Sequence, residues 1–116
     1  MLPFDDHKDV IVSLSGGVVE VAEGAAAEAV AVLDGAAQSL IITRVGARLA
    51  AFHNICPHAG RRLDWAPGQF LIDQGRLVCA VHGAAFDLGS GVCVSGPCKG
   101  AALRPLARGW RLKTAD

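Results

Sequence analysis

The chain has 116 residues, no formal net charge and 52% hydrophobic residues, many of them alanine. This length suits a single domain with its own core, so we expect one domain over residues 1–116. Its basic residues are too sparse for a nucleic-acid-binding protein. No apolar run reaches the ~18 residues of a membrane-spanning helix, so we expect no membrane partner. The acidic start, Met1–Asp6, lacks the features of a signal peptide and predicts a cytoplasmic protein.

Short apolar runs separated by turn residues extend through the first half of the chain. Fourteen glycines and five prolines provide this punctuation, which predicts an all-β fold. The predicted strands are Val10–Leu14, Gly17–Ala22, Ala29–Leu33, Ser39–Val45 and Leu49–His53. Asp34-Gly35 is a hairpin signal. The alanine-rich stretch Ala22–Ala31 has no apolar stripe of helical period, so it is predicted as loop and strand.

The second half follows the same pattern. The predicted strands are Gln69–Ile72, Arg76–Ala80, Ala84–Asp87, Val92–Val94, Ala102–Leu106 and Trp110–Lys113. Asp73-Gln74-Gly75 is the predicted turn of a hairpin, and the last two strands are expected to close the sheet. The fold class predicted is therefore all-β, with antiparallel sheets.

Two short boxes, each with one cysteine and one histidine, are the most informative motifs. Cys56-Pro57-His58 is separated by twenty residues from Cys79-Ala80-Val81-His82, and both boxes fall in loops at predicted strand ends. In a reducing compartment, cysteines more often bind metals than form a disulfide framework. Rigid strands that hold two ligand-bearing loops suit a metal centre.

Two metal centres use two cysteines and two histidines. A structural zinc site commonly groups like ligands in Cys pairs and His pairs. Here each box mixes the two kinds, so the two cysteines can take one iron of a [2Fe–2S] cluster and the two histidines the other. The mixed boxes favour the iron–sulfur interpretation, and a zinc-binding module without redox function stays as an alternative.

The sequence resembles the Rieske [2Fe–2S] proteins, and most closely their short soluble members, the Rieske-type ferredoxins. The resemblance rests on Cys-Pro-His-Ala-Gly at 56–60, Cys-Ala-Val-His-Gly-Ala-Ala-Phe-Asp at 79–87, and the later Gly-Pro-Cys at 96–98. It implies a Rieske-like, ISP-type β domain with two cluster-binding loops. It also implies that Cys56 and Cys79 bind the inner iron and that His58 and His82 bind the outer one.

The resemblance also bears on the reduction potential. High-potential respiratory members place a serine and a tyrosine hydroxyl near the cluster sulfurs, where this chain has Ala84 and Phe86 and contains no tyrosine. Fewer donors stabilise the reduced cluster less, so we predict a potential near the bottom of the Rieske range, on the order of −150 mV. The two cysteines of the respiratory loop disulfide are also missing. Cys93 and Cys98 are predicted to be small buried or half-buried thiols, and a disulfide between them across the Gly96-Pro97 turn stays as an alternative.

A carrier of one electron is the predicted function, with no catalytic site of its own. Apart from His58 and His82 only His7 and His53 remain, too few for the mononuclear iron site of an oxygenase. No phosphate-binding glycine loop or small-molecule substrate site is evident. The expected partners are a donor reductase and an oxygenase-type acceptor. A small subunit of a larger oxidoreductase, of the nitrite reductase type, is the alternative.

The charge is unevenly distributed. Residues 56–116 carry eight bases and four acids, whereas residues 1–55 carry three bases and seven acids. Charge complementarity mainly steers encounter between partners. Arg61, Arg62 and Lys99 are therefore candidates for a docking face.

Overall fold

The computed structural model describes residues 10–57, 60–80, 83–107 and 109–113. This part of the chain is all-β, as predicted, and contains no helix that is long and apolar enough to span a membrane. Its strands are β1 (Val10–Leu14), β2 (Ala26–Leu33), β3 (Ala36–Val45), β4 (Arg48–His53), β5 (Leu71–Asp73), β6 (Arg76–Val78), β7 (Ala85–Asp87), β8 (Cys93–Ser95) and β9 (Trp110–Leu112). A five-stranded sheet has the order β4-β3-β2-β1-β9, and a four-stranded sheet has the order β5-β6-β7-β8.

The large sheet is built on turns that the sequence encodes locally. Asp34 and Gly35, between β2 and β3, adopt φ values of 52° and 83°, as a type I′ hairpin turn requires. Gly46 has a φ of 62° in the turn from β3 to β4. Along β2, buried positions alternate with more exposed ones, which is the pattern of a strand with one face on a core.

Two features of the large sheet differ from the predictions. Strand β9 pairs with β1 in parallel, whereas antiparallel sheets were predicted throughout. The predicted strand at 17–22 is wrong, because these residues form bends and turns between β1 and β2. Val18 and Val19 are exposed and Val21 is buried, so this apolar run has one buried residue instead of a continuous face that would hold it against the sheet.

The small sheet is an antiparallel meander. Gln74 and Gly75, with φ values of 52° and 73°, turn β5 back into β6, and β6, β7 and β8 pair in chain order. The predicted strand at 102–106 is wrong: Ala102 and Pro105 form isolated bridges only. A proline has no N–H to donate to a ladder, which explains why pairing does not extend through this segment.

A shared core joins the two sheets. Ile41 and Phe52 of the large sheet and Leu77 and Phe86 of the small sheet lie in one buried cluster. The Oγ1 of Thr43 donates a buried hydrogen bond of 2.6 Å to the carbonyl of Leu88, in the turn after β7. Packing and this bond fix β4 and β6 relative to each other, and the two Cys/His boxes follow directly after these two strands.

Candidate metal centre

The first box places Cys56 in the core at the end of β4. Its side chain is 0% exposed. The N–H of Cys56 donates to the carbonyl of Arg61 (2.7 Å), and the N–H of Gly60 donates to the carbonyl of Cys56 (2.8 Å). Gly60 has a φ of 68°, in the region that a residue without Cβ enters at no steric cost. The box is therefore a closed loop with its thiol directed inward.

The second box repeats this geometry after β6. Cys79 is 1% exposed. Its N–H donates to the carbonyl of Ala84 (2.7 Å), and its carbonyl accepts from the N–H of Gly83 (2.9 Å). Gly83 has a φ of 71°. Each cysteine thus bonds the glycine four residues later and the carbonyl five residues later, an internal repeat that the sequence analysis did not identify.

Both thiols lie in one buried cluster of side chains. Cys56 and Cys79 share it with Leu63, Phe86 and Leu103, among others. Two cysteines presented by matched loops in an apolar, water-poor setting are the donor set that an iron–sulfur cluster needs, because thiolates hold such clusters. The described part of the centre therefore fits a [2Fe–2S] cluster.

The predicted histidine ligands His58 and His82 lie outside the described residues. The described residues contain no group of three or more Cys, His, Asp or Glu that could hold a metal ion. The structure thus brings the two cysteine loops into one core. The assignment of Cys56, His58, Cys79 and His82 as ligands stays a prediction.

A third loop, which the sequence analysis did not connect with the centre, packs against the second box. It runs from Cys93 to Ala101 and is closed by the N–H of Cys93, which donates to the carbonyl of Ala101 (2.8 Å). At its tip Gly96 lies so close to the second box that an added Cβ would come within 2.8 Å of the Cα of Ala84. In the sequence, the turn-forming pair Gly96-Pro97 is the signal from which this loop could have been predicted.

The remaining cysteines are buried thiols, as predicted. None of the four cysteines, all within the described residues, forms a disulfide. Burial, followed by a hydrogen bond and charge interaction with Cys93 and the charge of Cys56, raises the pKa of Cys98 to about 12. The Sγ of Cys93 donates to the carbonyl of Ser95 (3.3 Å). Cys98 is therefore a protonated, apolar-like group at neutral pH.

Two residues just after the second box lack the hydroxyl groups that high-potential Rieske proteins have there, as the sequence indicates. Ala84 and Phe86 are both 0% exposed, and neither side chain has a hydroxyl. They line the same core as Cys79. The low reduction potential expected from these residues stays a prediction.

The candidate docking cations separate into two kinds. Arg61 and Lys99 are exposed. Arg62 forms ion pairs with Glu28 (2.7 Å) and Asp64 (2.6 Å), so its charge is compensated within the molecule. The expectation that Arg62 contributes to a basic docking face is therefore wrong.

Two other residues lie near the boxes in the sequence. Trp65 is 62% exposed, so it is not packed in the core. His53, the last residue of β4, is buried. It faces a pocket of about 170 Å³ that Asp34, Gln38 and Arg104 also line. Burial does not alternate along β4, because its last three residues, Ala51, Phe52 and His53, are all buried.

His53 makes the stability of the fold depend on pH. Burial, and then the positive charge of Arg104, lowers its pKa from the ordinary value; Asp34, on the same pocket, does not reverse this. In the unfolded chain the pKa of His53 is about 6.5, so below this pH the unfolded chain binds more protons than the folded chain. The contribution of neutral His53 to folding stability is therefore fully present above that pH and is lost as pH falls. We expect wild type to lose more unfolding free energy between about pH 7.5 and pH 5.5 than His53→Gln, by denaturant unfolding. Equal losses of unfolding free energy in wild type and His53→Gln would contradict this prediction.

Comparison with known proteins agrees with this site. The Rieske [2Fe-2S] domain family matches residues 14–113. Among solved structures, the chain is similar to the ferredoxin of carbazole 1,9a-dioxygenase from Nocardioides aromaticivorans IC177. The TM-score is 0.53, with 26% identity over 73% of this chain and 75% of that chain. No curated protein matches the chain.

The fold is that of a [2Fe–2S] electron-transfer protein. The chain belongs to the Rieske [2Fe–2S] domain family, which matches most of its length. The predicted fold class, cofactor and electron-carrier function are thereby confirmed, and its partners are redox proteins.

Proposed function

We propose that the chain carries one electron from a reductase to an oxygenase-type acceptor, as a single Rieske domain over residues 1–116. The observation that carries this proposal is the pair of matched loops that bury Cys56 and Cys79 in one core. The similarity to a dioxygenase ferredoxin supports an oxygenase-type acceptor. Four cysteines without a disulfide suit the reducing cytoplasm.

In this proposal the side chains of Cys56, Cys79, His58 and His82 hold the cluster. When bound, the [2Fe–2S] cluster supplies a reversible one-electron couple. The two buried cysteines provide thiolate sulfur, and the loop hydrogen bonds keep their backbones in place. Leu63, Phe86 and Leu103 exclude water from the thiolate side. The protein makes and breaks no substrate bond.

Partner contact is proposed at the surface next to the first and third loops. Arg61 and Lys99 are exposed cations there, and Ile55, just before Cys56, is 53% exposed. An acidic partner surface would be steered by the cations. Transient redox complexes bury small interfaces, which suits so few residues.

The test is anaerobic purification followed by iron and sulfide analysis, EPR and voltammetry. We expect about two irons and two labile sulfides per chain, an EPR signal on reduction, and a potential on the order of −150 mV. The oxidised protein should accept one electron from a ferredoxin reductase and so become reduced. Bound zinc without labile sulfide would overturn the proposal. A stable complex with a larger oxidoreductase would replace the free carrier by the subunit alternative.

A further inference from the structure

A closed ring of polar contacts anchors both ends of the first loop to the large sheet. The Nδ2 of Asn54 donates to the Oγ of Ser39 (3.1 Å), which donates to the Oε2 of Glu28 (2.8 Å). The Nη2 of Arg62 donates to the same Oε2 (2.7 Å). The N–H of Leu63 donates to the Oδ1 of Asn54 (2.9 Å). The peptide bond from Arg62 to Leu63 closes the ring.

A second carboxylate holds Arg62 from the other side. The Nε and Nη2 of Arg62 donate to the Oδ1 (3.0 Å) and Oδ2 (2.6 Å) of Asp64, which is a bidentate pair. The Oδ2 of Asp64 also accepts from the N–H of Gly68 (3.1 Å). Burial raises the pKa of Asp64, but these hydrogen bonds and the charge of Arg62 outweigh it and lower the pKa. Asp64 is therefore charged at neutral pH.

The ring and Asp64 together carry more negative than positive charge. Two carboxylates, Glu28 and Asp64, meet one guanidinium. The carboxylate side chains are 12% and 1% exposed, whereas that of Arg62 is 48% exposed. Buried charges are screened by solvent much less than exposed ones. The uncompensated negative charge is therefore on the protein side of the ring.

The ring brackets the cysteine loop in the chain. Asn54 lies two residues before Cys56, and Arg62 follows directly after Arg61, whose carbonyl closes the loop on the N–H of Cys56 (2.7 Å). Mutation of the groups that orient metal ligands typically costs about 10–100-fold in metal affinity or activity, and net charge is one determinant of iron–sulfur potentials. The ring is placed to act in both ways.

We propose that the ring formed by Glu28, Ser39, Asn54 and Arg62, together with Asp64, positions the first metal loop. We propose further that the surplus negative charge of this group lowers the reduction potential of the bound cluster. The proposal rests on the proposed function. Its five side chains are positioning residues, since none of them is a predicted ligand. If the charges act on the cluster, removing a negative charge raises the reduction potential and removing a positive charge lowers it. If the ion pair had only a structural role, the direction of the shift would not depend on the sign of the charge removed.

The test measures the potential of the cluster-loaded protein by voltammetry. Glu28→Gln removes a negative charge and keeps an acceptor oxygen, so the potential should rise. Arg62→Gln removes a positive charge, so it should fall, by less because Arg62 is more exposed. Each change should alter the equilibrium constant for reduction by about threefold to tenfold, tenfold being about 59 mV for one electron. Arg62→Lys keeps the charge and should stay near wild type.

Matched controls remove the same charges elsewhere. Asp34→Asn lies six residues from Glu28, about 20 Å away at ~3.3 Å per residue along a strand. Arg111→Gln is an exposed change on β9. Neither should shift the potential. Equal shifts in the controls, or shifts in one direction for Glu28→Gln and Arg62→Gln, would overturn the role of the charge.

Ser39→Ala breaks two links of the ring without changing its charge. We expect a potential close to that of wild type and broader EPR lines. Cluster loss on warming should be faster by at least about threefold, because the loop that carries Cys56 is held in place by fewer hydrogen bonds. Cluster retention equal to wild type would overturn the positioning role. If wild type binds iron and sulfide and only the ring variants behave differently from expectation, the ring proposal alone fails. If wild type binds neither, both proposals fail.

Discussion

Replacing Cys56 or Cys79 by serine is expected to abolish the cluster. Both thiols are completely or almost completely buried, in one apolar core, so water does not reach the site to replace the lost thiolate. A serine hydroxyl is a poor ligand for iron that prefers thiolate sulfur. Loss of a residue that only orients a metal ligand already costs about 10–100-fold in metal affinity, and loss of a ligand should cost more. Iron and sulfide analysis with EPR measures the loss.

The two other cysteines provide the matched control. Cys93→Ala and Cys98→Ala remove thiols from the same core but leave both boxes intact, so their iron and sulfide content should stay near that of wild type. His58→Ala and His82→Ala should behave like the cysteine-box variants. A normal cluster spectrum in Cys56→Ser, or a complete loss in Cys98→Ala, would refute the ligand assignment.

Local signals explain why the strands of the two boxes could be predicted. The turns at Asp34-Gly35 and Gln74-Gly75 require positive φ at both residues, and the structure has it. Turn chemistry fixes the hairpins on either side. The β5–β6 hairpin at Gln74-Gly75 leads directly to Cys79, whereas Cys56 follows β4, which is reached through the later turn at Gly46. The positions of both boxes at strand ends therefore followed from short stretches of sequence.

Non-local pairing explains what could not be predicted. The parallel pairing of β1 with β9 joins residues about one hundred positions apart, such as Val10 and Trp110. The anchoring ring likewise joins Glu28 to Arg62, thirty-four positions away. A hydrophobic pattern specifies which face of a strand is buried, but not which distant charge it meets. This is why Arg62 was expected on a docking face.

One feature of the site was readable but missed. In each box a glycine follows the cysteine by four residues, Gly60 after Cys56 and Gly83 after Cys79. Their equal spacing from the two cysteines was not used in the sequence analysis. Taken together, equal spacing predicts equal loop geometry, since both need positive φ at the point where the chain folds back on the cysteine carbonyl.

Substituting Gly96 by alanine is expected to destabilise the protein strongly through the contact between the third loop and the second box. The new Cβ would lie 2.8 Å from the Cα of Ala84 and 3.3 Å from its nitrogen, and these are backbone atoms that cannot rotate away. Gly96 also has a φ of 94°, which alanine adopts only with strain. Steric overlap and strain together should cost about 2–5 kcal/mol, measured by thermal or denaturant unfolding.

Gly100→Ala separates the two causes. Gly100 lies in the same loop with a φ of 97°, but an added Cβ would have no heavy atom within 4 Å. This variant should show only the conformational cost, about 1–2 kcal/mol. Because the carbonyl of Ala84 accepts the N–H that closes the second box, Gly96→Ala should also speed cluster loss, whereas Gly100→Ala should not. Equal unfolding free energies for the two variants would mean that the third loop moves away from Ala84 without cost, and that this contact does not hold the second box in place.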